Sequence, residues 1–584
     1  MPKTSEKYKF KNKSTSSNSS DSSNFDFDTL FKNALDSEDQ AERYQFGKKS
    51  NKNFNQSIQI YKSLINSLNQ SQSQSQDQNE QNQQNLFDCH FNLARILIHW
   101  ATTFSSNRSE IVEVLIDGIQ NYQKSIQISS NLNHALNLID SHFNLASAIS
   151  NLAEILSQGA IIPNLNFKQI QILIKEHLIQ SKIHLSKAFD LQKSILDNSS
   201  NENLATSSNS NQIDSSNIDN LNQNTIVHET FLITPSVLID TLIDLFDILF
   251  SIYPFDPISI NSEFNHYLNQ IQNLNLQVIS THPEFNHQFQ IENLICYRDL
   301  TILDHKLSTP INDWIDDPQI ENHLIQLHQN LINLSSQLQS QSNQDFFHLI
   351  SLANNLSTLS STFGSFLLKS SISKSISISS NQINQIHSLF KFTLDSHSSI
   401  LLRLKNSKLQ PIKLIQPHQT PSYIASSLIG QSELLLIFEL LQDFFKNQFN
   451  SFETQNDSWN LAIQAYNQTF GPFLITPHSD HHLKLIFKNR NPIEERNDWS
   501  CFSTRLEAIK SILRSKWLVL TKNSCHSSME TFHSEILPLA QKFKLISLDA
   551  SRFLDDCEHD PVWLMTDGRE SLMWETLKVT LPET

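Results

Sequence analysis

Apolar positions along this chain fall at intervals of three and four residues, the spacing of a helix face. The pattern is clearest from Leu86 to Ala101. Phe87, Phe91, Ala94, Ile98 and Ala101 form one stripe, and Leu86, Leu93, Leu97 and Trp100 form a second. It returns with Ile139, Phe143, Ala146 and Ala153 on one stripe and Leu138, Leu145, Ile149 and Leu152 on the other. Two apolar stripes on one helix predict burial on two sides, as for a helix inside a stack. The two stretches also share a heptapeptide. Asp88-Cys89-His90-Phe91-Asn92-Leu93-Ala94 and Asp140-Ser141-His142-Phe143-Asn144-Leu145-Ala146 agree at six of seven positions, 52 residues apart. Self-similarity on this scale predicts a stacked helical array. The alanines at 94 and 146 predict close approach of a neighbouring helix.

A companion helix is expected beside each copy. Glu110 to Ile128 follows the first and carries Gly118, Tyr122 and Ser125; Asn55 to Leu68 precedes it and carries Ser57, Tyr61 and Leu64. Both place a small residue four positions before a tyrosine. On these residues the chain resembles the tetratricopeptide repeat family over about residues 30–196. In that family the first helix of a unit carries aromatic-(Asn)-Leu-small, matched by Phe91, Leu93, Ala94 and Leu97. The second carries a small residue, an aromatic and an alanine, matched by Gly118, Tyr122 and Ser125. An earlier unit would use Ala41 and Tyr44, then Phe54, Ser57 and Tyr61. A later one would pair the helix of the 140s with Ser181, Leu185 and Ala188. The period departs from the family's, which is about 34 residues, and the terminal proline of the repeat is missing. Polar insertions such as Gln70 to Asn85 fill the difference and are expected to be loops. The resemblance implies an all-α fold, a TPR-like antiparallel helix-pair solenoid with polar low-complexity insertions.

The rest of the chain divides by composition. Residues 1–27 read as a disordered tail, in which Lys3, Lys7, Lys9, Lys11 and Lys13 make a solvated basic cluster or a nuclear address. Residues 28–196 hold the repeats and 197–225 a disordered polar linker. Residues 226–470 form a second helical region that either continues the solenoid or starts anew. Its helices are expected from Thr234-Pro235-Ser236, at 260–279, 286–305, 318–340, 343–369 and 381–404, from Thr420-Pro421-Ser422, and from Trp459 to Phe470. Residues 471–584 lose the Asn/Gln runs and form a compositionally distinct segment. Five of the seven Trp and every Met except the initiator lie beyond residue 458.

Composition removes several function classes. The chain has 584 residues, a net charge of −16 and only 7 Gly. No two glycines lie close enough to build a dinucleotide or P-loop site, and Gly430-Gln431-Ser432 lacks the second glycine of a nucleophile elbow. No basic stripe in the body of the chain marks a nucleic-acid binder. Five scattered cysteines point to a reducing, cytoplasmic or nuclear setting. Val237 to Tyr253 is the most apolar stretch, but Asp240, Asp244 and Asp247 share one face of it, which makes it an amphipathic helix and not a membrane span.

Candidate chemistry is sparse. His478, Asp480, His481 and His482 cluster, yet adjacent histidines point apart, so the cluster reads as a polar loop. Cys525, His526, His533, Cys557 and His559 match no zinc spacing. Asp555, Asp556, Glu558 and Asp560 read as a solvated turn. No cofactor, metal or catalytic set is expected. Asn92 and Asn144 are the most informative polar residues, because the repeat recurs around them. They are either satisfied within the stack or face a concave groove. In some members of the resembled family an Asn at this place holds the backbone of a bound peptide, which an amide suits by donating and accepting at once. The expected function is a non-enzymatic scaffold or adaptor that binds partner proteins in a helical groove. The alternatives are a dedicated (co-)chaperone for a basic client, which would use the acidic face at 240, 244 and 247, and an enzyme with its site in 471–584. A clamp for chaperone tails is not expected, because Glu42, His142 and Ser147 stand where basic residues are needed.

Overall fold

Helical periodicity holds along nearly all of the computed structural model of the chain. The model describes residues 27–44, 48–70, 76–104, 108–157, 165–206, 233–281, 286–308, 318–340, 346–374, 380–406, 420–444, 458–468, 473–478, 482–487, 499–521 and 536–542. The first six helices are α1 (Phe27–Tyr44), α2 (Lys48–Gln70), α3 (Gln76–Phe104), α4 (Arg108–Leu132), α5 (Ala135–Ser157) and α6 (Phe167–Thr206). Next come α7 (Pro235–Ile252), α8 (Pro257–Thr281), α9 (Gln288–Ser308), α10 (Pro318–Ser340), α11 (Phe346–Lys374) and α12 (Ser380–Asn406). The last are α13 (Thr420–Phe444), α14 (Ser458–Gln468), α15 (Trp499–Thr521) and the short α16 (Leu537–Lys542). Each of α1 to α14 packs against the next, so the fold is an all-α array built by stacking consecutive helices. Odd-numbered helices also touch: α3 meets α5, α9 and α13 meet α11, and α13 meets α15. In addition α15 comes back against α3.

The first three helix pairs repeat one packing device. Each first helix carries two alanines seven residues apart: Ala34 and Ala41, Ala94 and Ala101, Ala146 and Ala153, all at most 1% exposed. The first alanine of each pair receives the small residue of the second helix. Ser57 Oγ donates to Ala34 O at 3.0 Å and Ser181 Oγ to Ala146 O at 2.7 Å. In the middle unit Gly118 takes that place, where an added Cβ would sit 2.7 Å from Ile98 Cδ1 and 3.4 Å from Ala94 O. An aromatic three residues before the alanine meets the tyrosine of the second helix edge-on. Phe31 lies 5.7 Å from Tyr61 and Phe91 lies 5.6 Å from Tyr122, with interplanar angles of 73° and 72°. This register exposes a third, worn copy of the heptapeptide, Asp28-Thr29-Leu30-Phe31-Lys32-Asn33-Ala34, which keeps Asp, Phe and Ala. The first unit therefore aligns on Phe31 and Ala34, not on Ala41 and Tyr44.

The sequence reading needs three further amendments. The polar tract 70–85 is not a loop throughout, because α3 starts at Gln76. Glutamine is a good helix former, and Gln81 and Gln84 donate to Asn85 and Asp88 one turn on, at 3.0 and 3.1 Å. Likewise α6 runs on to Thr206, past the expected start of the linker at 197. The third amendment is an antiparallel hairpin, β1 (Phe473–His478) with β2 (His482–Phe487), beside α14. Helices α7 to α14 lie between Pro235 and Gln468. Thr234 caps α7, its Oγ1 accepting from Val237 N, with Pro235 in the first turn.

Candidate functional site

The two repeated asparagines sit on α3 and α5, which touch each other. Both are half-buried and make the same bond. Asn92 Nδ2 donates to Asp88 O at 2.8 Å, and Asn144 Nδ2 donates to Asp140 O at 2.7 Å. One donor of each amide thus closes on its own helix four residues back, as local side chains compete to do. Asn92 Oδ1 also accepts from Arg95 Nη2 at 3.3 Å, and Arg95 pairs with Glu38 of α1. Burial still holds the Glu38 carboxyl above its usual range, outweighing Arg95, which lowers it. The histidine two places before each asparagine spans to the second helix of its unit. His90 Nδ1 lies 2.8 Å from Asn121 Oδ1, and His142 Nδ1 lies 2.9 Å from His184 Nδ1. Burial, then the neighbouring His184 and Lys187, pushes His142 down to about 4.

A larger feature lies further along the chain. A cleft of about 640 Å³ opens between α7, α9 and α11. The pattern of α7 explains one side. Leu238, Ile239, Leu242, Leu245, Phe246 and Leu249 are buried, which leaves Asp240, Asp244 and Asp247 on the opposite face and along the cleft. Asn293 and Tyr297 of α9 and Ser351 and Asn355 of α11 line the other sides. Asn293 Nδ2 donates to Ser351 Oγ at 2.9 Å, and Asn355 Nδ2 donates to Asn293 Oδ1 at 2.8 Å. These bonds hold α9 and α11 together and satisfy the amides that burial would otherwise penalise.

The three carboxylates have no ion-pair partner among the described residues. Burial among the cleft walls pushes Asp244 and Asp247 up to about 6, and each also feels the preceding aspartate. Burial raises Asp240 too, while His287 lowers it. The carboxylates remain open to solvent from the cleft side. Walls on several sides raise their pKa without covering them. The arrangement is a negative slot with hydrogen-bonding walls, suited to a cation that brings its own donors. The triad face was legible in the sequence. The opposite walls were not, because they come from Gln290 and beyond.

The remaining candidates resolve less. His478 and His482 face each other across the backbone of the hairpin. Residues 479–481 lie outside the described residues, as do Cys525, His526, His533, Cys557, His559 and the acidic run at 555–560. Among the described residues no group of three His, Cys, Asp or Glu could hold a metal, and no helix is long and apolar enough to cross a membrane. Burial pushes the thiols of Cys89 and Cys296 up to about 12, which makes them inert packing groups.

No family model matches the chain, and no curated protein matches it. Among solved structures it is similar to a "Circular tandem repeat protein with novel repeat topology and enhanced subunit contact surfaces", at 10% identity over 95% of this chain and 94% of that one, with a TM-score of 0.23. At that TM-score the likeness carries no argument, and the repeat architecture stands on the helix contacts and the recurring alanine packing.

Proposed function

We propose that the chain is a protein-interaction scaffold, TPR-like in its first three units, acting in the cytoplasm or nucleus. Its partner places a basic segment in the cleft between α7, α9 and α11. The observation that carries this reading is the row Asp240, Asp244 and Asp247, three carboxylates without cationic partners on one wall of a 640 Å³ cleft. Each is held in a state that an incoming Lys or Arg relieves, since an opposite charge favours ionisation. The amide walls supply acceptors for the remaining N–H groups of a guanidinium. Asn92 and Asn144 add a second contact on α3 and α5, each through the amide N–H that its own helix leaves unused. A dedicated chaperone for a basic client uses the same cleft, and the acidic row favours that second reading as well.

The test titrates the full chain with a fluorescent Lys/Arg-rich peptide at low and high salt. The expected result is salt-sensitive binding that weakens about tenfold or more in Asp240→Asn/Asp244→Asn/Asp247→Asn, a loss of about 1.4 kcal/mol. Unchanged affinity in the triple variant removes the cleft from the account.

A further inference from the structure

Three side chains meet at the α7/α9 end of the cleft in an order that binding does not require. Ser236 stands in the first turn of α7, directly after Pro235. His287 begins α9, its carbonyl accepting from Ile291 N at 3.0 Å. His287 Nε2 lies 2.8 Å from Ser236 Oγ, and His287 Nδ1 lies 2.6 Å from Gln290 Oε1. An amide oxygen only accepts, so Nδ1 carries the ring proton. Nε2 is then a lone pair facing the serine hydroxyl. The histidine backbone is fixed as well: His287 N donates to Asn275 Oδ1 at 2.9 Å, and Asn275 Nδ2 donates to Asn286 Oδ1 at 3.3 Å. A hydroxyl, a base within hydrogen-bond reach and a third group orienting the base make up the arrangement that activates a nucleophile.

We propose that Ser236 is a nucleophile toward carboxylic esters with a cationic acyl part, with His287 as general base and Gln290 as the positioning residue. Ser236 Oγ bonds to the ester carbonyl carbon while its proton passes to His287 Nε2. The tetrahedral species collapses by breaking the bond to the alkoxy oxygen, and the alcohol leaves with the proton from Nε2. Water then attacks the acyl carbon, gives a proton to Nε2, and Ser236 Oγ departs with it. Ser236 and His287 both sit at helix N-termini, whose positive ends favour the developing oxyanion. The substrate's charge is set by the neighbours. Asp240 follows Ser236 by one turn, and Asp240 and Gln290 both line the acidic cleft. Gln290 orients the ring, and Asp240, which interacts electrostatically with His287, lies on the side where an imidazolium forms.

A second Ser–His pair shows what a purely structural tie looks like here. Ser357 Oγ lies 2.7 Å from His397 Nε2, but the His397 ring is 3% exposed and its Nδ1 has no partner. Gly430 presses on that ring so closely that an added Cβ would lie 2.8 Å from Cε1. No substrate reaches it and nothing orients it. The pair at Ser236 differs on both counts.

The test incubates the full chain with p-nitrophenyl p-guanidinobenzoate and, separately, with p-nitrophenyl acetate, follows p-nitrophenol release, and locates the adduct by mass spectrometry. The expected result is a guanidinobenzoyl group on Ser236, formed faster than the acetyl adduct. His287→Ala slows acylation by about 10²–10⁴-fold, the usual contribution of a general base. Gln290→Glu, which keeps the acceptor for Nδ1 and adds charge, raises the rate, whereas Gln290→Leu lowers it. Ser357→Ala changes nothing. Capture of the basic peptide persists in Ser236→Ala, so failure here is distinguishable from failure of the binding reading. The proposal is overturned if the wild type carries no adduct on Ser236, or if Gln290→Leu, melting like the wild type, is acylated at the wild-type rate. Equal rates with the two esters overturn the assignment of a cationic acyl part.

Discussion

From α1 to α6 the paired helices repeat one interface of alanine against a small residue, with an edge-on aromatic pair in the first two units; from α7 onward the aromatic contacts and hydrogen bonds differ from interface to interface. In the first region Ala34, Ala94 and Ala146 each lie under a serine or glycine of the next helix. In the second, Phe246, Phe250, Phe264 and Tyr253 stack between α7 and α8, and Tyr297 of α9 meets Phe250 edge-on at 4.4 Å. Ser360 reaches Thr393 at 3.0 Å, and Gln431 donates to Ser398 at 2.8 Å. Small residues let backbones approach at a fixed distance, so the same interface can be laid down repeatedly and leaves a recurring sequence. The rings and polar pairs of the second region differ from one interface to the next, so they leave no repeat. Among the described residues the acidic slot lies in the second region.

The largest effect expected from breaking this contrast is Phe246→Ala. That ring is wholly buried among Phe250 and Phe264, and its loss should cost about 3–5 kcal/mol in denaturant unfolding. Phe91→Ala and Phe143→Ala should cost less, because both rings are only half-buried. Next in size are Ala94→Leu and Ala146→Leu, which force the paired helices apart and should each cost about 1–3 kcal/mol by the same measurement. Equal losses at the two sites sharpen the equivalence of the units; a loss at one alone breaks it.

A smaller effect depends on pH. His142 is held neutral, near 4 in the fold against an ordinary value of 6.5. The unfolded chain therefore binds the extra proton between those values, and stability falls as pH drops through that window. The slope for one proton is about 1.4 kcal/mol per pH unit. The raised aspartates act oppositely: the fold binds their protons first, so stability falls as pH rises through their window, up to about 6. Melts of wild type against His142→Gln between neutral and acidic pH isolate the histidine term, and the variant should lose less stability on acidification. Smallest are Ser57→Ala and Ser181→Ala, which remove one buried bond to Ala34 O and Ala146 O and should cost about 1 kcal/mol each.

The heptapeptide at 88 and 140 announced the stack because six of its seven positions survive. The copy at Asp28 escaped notice because only Asp28, Phe31 and Ala34 persist. The alanines seven residues apart were the signal that could have found it. Gln76 to Asn85 looked like a loop because its residues bury nothing, yet glutamine continues a helix that apolar residues further on have already fixed. The acidic face of α7 was visible as a spacing, whereas the cleft required α9 and α11, more than forty residues later. Ser236, His287 and Gln290 could not be joined for the same reason: their relation exists only once α7 and α9 begin side by side.

Hydrogen exchange across the full chain, with and without a saturating Lys/Arg-rich peptide, tests the central claim most directly. The account predicts protection on binding within 235–252, 288–308 and 346–374, the helices that wall the cleft, and loss of that protection in the triple aspartate variant. Protection confined to α3 and α5, or persisting without the aspartates, would contradict it.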